Sequence, residues 1–139
     1  MTNIVIDASV ALAWCFKDEL NETVTRLLEE LQGGTAAVPM LWPIEVSNVL
    51  ALAERRGRIS FAETAQLLAL LSTLDIRVDT EAPSLAFTRL LDLARAEKLT
   101  AYEASYLELA MRLGVPLASK DRNLCDAAER VGVAVLRAV

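Results

Sequence analysis

Four acidic residues, Asp7, Glu45, Glu103 and Asp121, stand where a carboxylate could do chemistry. Asp7 closes the run Ile4-Val5-Ile6, three β-branched residues that read as a short buried strand. In an open α/β sheet, ligands bind in the crevice beyond the carboxyl ends of the strands. An acid at that edge therefore faces the place where reactions occur. The chain has no histidine, which removes Ser-His-Asp and Cys-His nucleophilic catalysis and zinc sites built on imidazole. Acid–base or metal chemistry here rests on carboxylates. Four of them at one edge repel each other unless a cation lies among them, and Mg2+ or Mn2+ is the hard, oxygen-preferring choice. An ion held by carboxylates and waters keeps positions open for phosphate oxygens and acidifies a bound water, and a pair of such ions sits about 3.5–4 Å apart.

Each acid also has an ordinary explanation. Asp7 and Asp121 follow strands and precede helices, where Asp is a preferred N-cap. Glu45 falls in the first turn after Pro43, where the helix dipole favours a negative charge. Glu103 closes Thr100-Ala101-Tyr102-Glu103, a capping box. The same pattern recurs in Ser60-Phe61-Ala62-Glu63 with no chemistry suspected. Spacing alone leaves both explanations open.

The elements that must position these acids are legible as an alternation of short strands and helices. Strands are expected over 3–7, 35–38, 76–78, 116–119 and 133–136. Helices are expected over 9–16, from Asn21 to Gly33-Gly34, over 43–56, 60–74, 83–97, 100–114 and 122–131. The stripe Val24, Leu27, Leu28 and Leu31 has helical spacing, and Pro43 suits the first turn of its helix. This order implies an α/β/α sandwich around a mainly parallel sheet. The 139 residues, without a long Gly/Ser/Pro linker or a fixed-period repeat, make one domain.

Composition bounds the function further. With 54% hydrophobic and 24% charged residues, the chain is not disordered. No apolar run approaches the roughly 20 residues that cross a bilayer, so no membrane partner is expected. Met1-Thr2-Asn3 carries no basic n-region, and the cytoplasm is the expected location. Cys15 and Cys125 lack metal or redox spacing and read as buried free thiols. The net charge of −5 means that nucleic acid would be bound only with cations and a local basic patch.

Four stretches carry a family resemblance. Ile4-Val5-Ile6-Asp7-Ala8-Ser9-Val10-Ala11-Leu12-Ala13-Trp14 and Pro43-Ile44-Glu45-Val46-Ser47-Asn48-Val49-Leu50 resemble the opening half of a PIN domain, most closely the VapC toxins of bacterial toxin–antitoxin pairs. Leu99-Thr100-Ala101-Tyr102-Glu103-Ala104-Ser105-Tyr106-Leu107 resembles the third family motif. Pro116-Leu117-Ala118-Ser119-Lys120-Asp121-Arg122-Asn123-Leu124, followed by Ala127-Ala128 and Gly132-Val133, resembles the fourth. Each motif is weak alone, but four in family order are specific. The resemblance implies a metal-dependent ribonuclease that acts on RNA, forms a homodimer and is restrained by a VapB-like antitoxin. Carried over position by position, the family's acidic ligands fall on Asp7, Glu45, Glu103 and Asp121. Ser9 matches the hydroxyl residue that supports the first acid. Asn123 stands where some members carry a further acid, making it a candidate water or phosphate contact. One departure matters: the third motif normally carries Asp. Glu103 moves its carboxylate by more than about an ångström, and Mg2+ tolerates misplacement poorly.

That departure keeps a second reading in view, a PIN-like scaffold that acts through RNA or protein contacts without turnover. A third, an aspartate-nucleophile phosphoryl transferase, fits poorly because haloacid-dehalogenase-like phosphatases carry Asp-x-Asp after the first strand and position 9 is Ser. Lys120 and Arg122 flank Asp121 and could meet substrate phosphate. Arg55, Arg56 and Arg58 suit either a solvated helix terminus or a contact with RNA or a partner. Leu12, Trp14 and Phe16 are core candidates that, if exposed, would suit an antitoxin helix. Glu19 and Asp126 read as surface acids, and no Gly-rich phosphate loop is present.

Overall fold

Ile4, Val5 and Ile6 are enclosed on both faces and form most of β1 (Asn3–Ile6), as expected of a strand covered by helices on two sides. A computed structural model describes residues 3–139. Met1 and Thr2, on which the expectation of no leader segment rests, lie outside the described residues. Four more strands, β2 (Thr35–Pro39), β3 (Asp75–Asp79), β4 (Leu117–Ser119) and β5 (Val135–Arg137), join β1 in the order β3-β2-β1-β4-β5. Every pairing is parallel, with Ile4 opposite Ala36 on one side of β1 and Ile6 opposite Ala118 on the other.

This order decides where a ligand can sit. The chain moves outward from β1 through β2 to β3, then returns across the sheet to β4 on the other side of β1. Crossovers of one hand then lay helices on both faces and open a crevice where the direction reverses, between β1 and β4. Asp7 follows β1 and Asp121 follows β4. Both lie at that switch point.

The helices are α1 (Ala8–Cys15), α2 (Glu22–Leu31), α3 (Leu41–Arg55), α4 (Phe61–Ser72), α5 (Ala82–Leu85), α6 (Leu91–Glu97), α7 (Ala101–Leu113) and α8 (Arg122–Arg130). Helix α7 packs on the sheet centre against β1, β2 and β4, and α1 packs against α2, α3 and α4. The three layers form the expected α/β/α sandwich. Leu12, Trp14 and Phe16 belong to its core rather than to an exposed patch, and the Trp14 indole N–H donates to the Val24 carbonyl at 2.8 Å.

Most element ends fall within a residue or two of expectation, and three differences are informative. Helix α3 starts at Leu41, two residues before Pro43, because Met40 already has helical backbone angles. The helix expected over 83–97 is interrupted by a π-helical turn at Ala86–Leu90, a widening of the ladder that hydrophobic spacing does not encode. Strand β5 runs from Val135, later than the apolar run suggests. Of the cysteines, both are free, with Cys125 buried and Cys15 only half-buried.

Candidate active site

Asp7 is the most enclosed of the four acids, 7% exposed at the N-cap of α1. The Ser9 hydroxyl donates to its Oδ1, as does the Val10 backbone N–H at 3.3 Å, and the Ser119 hydroxyl donates to its Oδ2. Burial pushes the Asp7 carboxyl above the ordinary carboxylate range, and the Asp121 charge pushes the same way. The serine and Val10 hydrogen bonds oppose the rise without cancelling it.

Ser119 reaches Asp7 because β4 lies beside β1, with the Asp7 N–H donating to the Ala118 carbonyl at 3.2 Å. The same Ser119 oxygen accepts the Asp121 N–H at 2.9 Å, and the Lys120 N–H donates to Ser9 at 3.0 Å. Two serines thereby lace together the strand ends that carry the first and fourth acids. Asp121 caps α8 by accepting the Leu124 N–H at 2.9 Å and is otherwise exposed.

Glu45 corrects an expectation. Because α3 begins at Leu41, Glu45 is its fifth residue and lies beyond the first turn, so the helix-dipole explanation lapses. It is half-buried, and Oε1 accepts the Tyr106 hydroxyl at 2.6 Å. Burial lifts its carboxyl above the usual range, the Tyr106 hydrogen bond lowers it, and the nearby Asp7 charge raises it. Glu103 keeps the ordinary role as well: both halves of its capping box with Thr100 are formed.

All four acids line one cavity of about 360 Å³, together with Ser9 and Tyr106. Its donor set consists of oxygens alone, which suits a hard divalent cation. Among the described residues, however, no three acidic or thiol side chains are close enough to form a ready ion cage. Two of the acids are engaged in capping bonds. One oxygen of Glu103 is turned to Thr100 and one of Asp121 to Leu124, leaving the second oxygen of each carboxylate without a hydrogen-bond partner among the described residues.

The remaining candidates divide. Ser9 lies in the cavity wall. Lys120 is ion-paired with Glu19 at 3.2 Å, so Glu19 is not a plain surface acid. Arg122 is exposed and has no ion pair among the described residues. Asn123 lines a separate cavity of about 470 Å³ with Lys98 and Asp126. Arg58 leaves the basic cluster: it pairs with Asp18 and Glu19 and stacks over the Phe16 ring at 3.7 Å. Sequence reasoning missed Ser119 and Tyr106 as site residues. Their signals are faint: Ser119 lies two residues before Asp121, and Tyr106 lies one helical turn after Glu103.

The family model of the PIN domain matches residues 4–130. The chain belongs to the PIN-domain family. PIN domains are in general nucleases. Among solved structures, this PIN domain is similar to PAE2754 from Pyrobaculum aerophilum, with a TM-score of 0.70 and 24% identity over 96% of this chain and 83% of that one. FitAcB from Neisseria gonorrhoeae gives 0.66 at 17% identity, covering 97% of each chain. VapBC2 from Rickettsia felis, bound to a DNA fragment from their promoter, gives 0.69 at 12% identity and covers 98% of each. At such identities the likeness speaks to the fold. A comparison with curated protein sequences finds no match.

Proposed function

We propose that this PIN domain is a Mg2+- or Mn2+-dependent endoribonuclease of the VapC type, hydrolysing RNA phosphodiester bonds and restrained by a VapB-like antitoxin. The observation that carries the reading is the convergence of Asp7, Glu45, Glu103 and Asp121 on one cavity at the switch point of the sheet. These residues come from four separate segments of the chain. Helix N-termini gather at the carboxyl edge of a parallel sheet and so bring the capping acids Asp7, Glu103 and Asp121 there, but Glu45 caps no helix and lines the same cavity.

Asp7, Glu45, Glu103 and Asp121 would hold the ion. When bound, such an ion polarises a phosphate and supplies an acidified water for attack on phosphorus. The chain's own contribution is orientation and charge. Ser9 and Ser119 fix both Asp7 oxygens, and Tyr106 fixes one Glu45 oxygen. Arg122, exposed beside Asp121 and without an ion pair among the described residues, supports binding of a substrate phosphate by a chain whose overall charge repels RNA. An aspartyl nucleophile at position 7 is disfavoured, since hydroxyl donors occupy both of its oxygens.

Antitoxin control is supported by two structural neighbours. One is VapBC2 with its promoter fragment, and the other is a toxin–antitoxin complex from Klebsiella pneumoniae at 17% identity and TM-score 0.60. A homodimer acting in the cytoplasm completes the reading. No helix among the described residues is long and apolar enough to cross a membrane.

The test is cleavage of RNA by the purified protein with Mg2+ or Mn2+. Asp7→Asn should abolish cleavage and leave the fold intact, and excess EDTA should silence the wild type. Full activity in either case would defeat the proposal. The competing reading, a binding module without turnover, draws its support from the Glu103 capping box. A silent wild type beside an active Glu103→Asp variant would favour it.

A further inference from the structure

Glu45 has one hydrogen-bond partner among the described residues, the Tyr106 hydroxyl, at 2.6 Å. That distance is typical of an O–H donor held by a charged carboxylate. The two residues are separated by 61 positions and belong to different helices, α3 and α7. Tyr106 is 3% exposed and packed into the central core, so packing rather than solvent fixes where its hydroxyl lies. Glutamate has three rotatable side-chain torsions. Without this donor no hydrogen bond among the described residues holds the half-buried carboxylate in one direction, and the freedom lost on ordering it would oppose ligation.

We infer that Tyr106 is a positioning residue, whose buried hydroxyl aims the Glu45 carboxylate into the acid-lined cavity. The inference rests on the reading of Glu45 as an ion ligand. A buried tyrosine hydroxyl normally finds some partner, and a purely structural role would be met by any acceptor. Here the acceptor is a cavity acid, and the tyrosine lines the same cavity. Removing such an outer partner of a metal-binding carboxylate typically costs 10–100-fold in metal affinity.

The experiment measures Mn2+ uptake by the full chain, following the free-ion electron paramagnetic resonance signal. The variants are Tyr106→Phe, Glu45→Ala and the double substitution, each with its thermal unfolding curve. Tyr106→Phe keeps the ring and its packing and should weaken Mn2+ binding by about tenfold or more. In the Glu45→Ala background the same change should have little further effect, since the two act as one unit. Unchanged affinity in Tyr106→Phe, or an equal loss in both backgrounds, would overturn the inference. So would loss of cooperative unfolding in Tyr106→Phe, which would assign the hydroxyl to stability. A wild type that takes up no Mn2+ would take the endoribonuclease reading down with it, whereas wild-type uptake with an indifferent Tyr106→Phe sinks the positioning role alone.

Discussion

Glu103 and Thr100 satisfy each other at the start of α7: Glu103 Oε1 accepts the Thr100 N–H at 3.0 Å, and Thr100 Oγ1 accepts the Glu103 N–H at 3.0 Å. The residue that departs from the family pattern is thus shared between two roles, closing a helix end and facing the acid cavity. Shortening it to Asp separates the roles. Glu103→Asp should lose the return bond to Thr100 and up to about 1.5 kcal/mol of stability, while freeing both oxygens for an ion. Thermal unfolding should therefore fall as Mn2+-dependent RNA cleavage is kept or rises. A loss of both would show that the longer side chain is the one the site requires.

Asp7 should make the ion-free protein less stable as pH rises. Burial holds its folded-state pKa above the unfolded value, so the folded chain binds this proton more tightly. Below the unfolded value both states are protonated and ionisation costs nothing. Stability is lost as pH climbs towards and through the folded-state pKa, and Glu45 acts in the same direction. Asn is as good an N-cap as Asp, so Asp7→Asn should unfold a few degrees above the wild type at neutral pH in EDTA. The gap should close near pH 3. Added Mn2+ should stabilise the wild type and not the variant. A variant less stable than the wild type at neutral pH in EDTA would show that the serine hydrogen bonds outweigh burial.

Arg112 supports the fold away from the cavity. Its guanidinium meets both Asp79 oxygens at 2.9 Å and bonds Glu108, whose side chain is buried. Arg89 is a distant second partner for Glu108 at 3.7 Å. Arg112→Ala leaves that buried carboxylate nearly unpaired and should cost about 3 kcal/mol or more, read by denaturant unfolding. Arg112 lies about two and a half turns along α7 from Glu103. Cleavage per folded molecule should not change.

Arg122 separates phosphate contact from plain surface charge. Arg122→Ala should weaken RNA binding to an inactive Asp7→Asn background uniformly across sequences and reduce the salt dependence by about one unit of log–log slope. An unchanged slope would return Arg122 to the solvated surface.

Much of this was legible in the chain. Ile4-Val5-Ile6 ending at Asp7 announces a buried strand with an acid at its carboxyl edge, and the two capping boxes form as written. Strand order was not legible. That β4 lies beside β1 depends on how the chain returns across the sheet, so the Ser119–Asp7 contact, spanning 112 positions, has no local signal. The same holds for Tyr106 and Glu45, which meet only because α3 and α7 converge on one edge. The start of α3 was displaced because Met40 enters the helix without a side-chain cap, and that shift moved Glu45 out of the first turn. Ion pairing was hidden for the same reason: Lys120 and Arg58 read as free cations until the fold brings Glu19 to both.

The central claim is that Asp7, Glu45, Glu103 and Asp121 meet around a shared divalent ion. Crystals of the wild-type protein soaked in Mn2+, with anomalous diffraction collected at the manganese absorption edge, test it most directly. The account predicts an anomalous peak inside the acid-lined cavity, within coordination distance of Asp7 and at least one of the other three carboxylates, and no such peak in Asp7→Asn. A wild-type protein that cleaves RNA while manganese lies elsewhere, or nowhere, would contradict it.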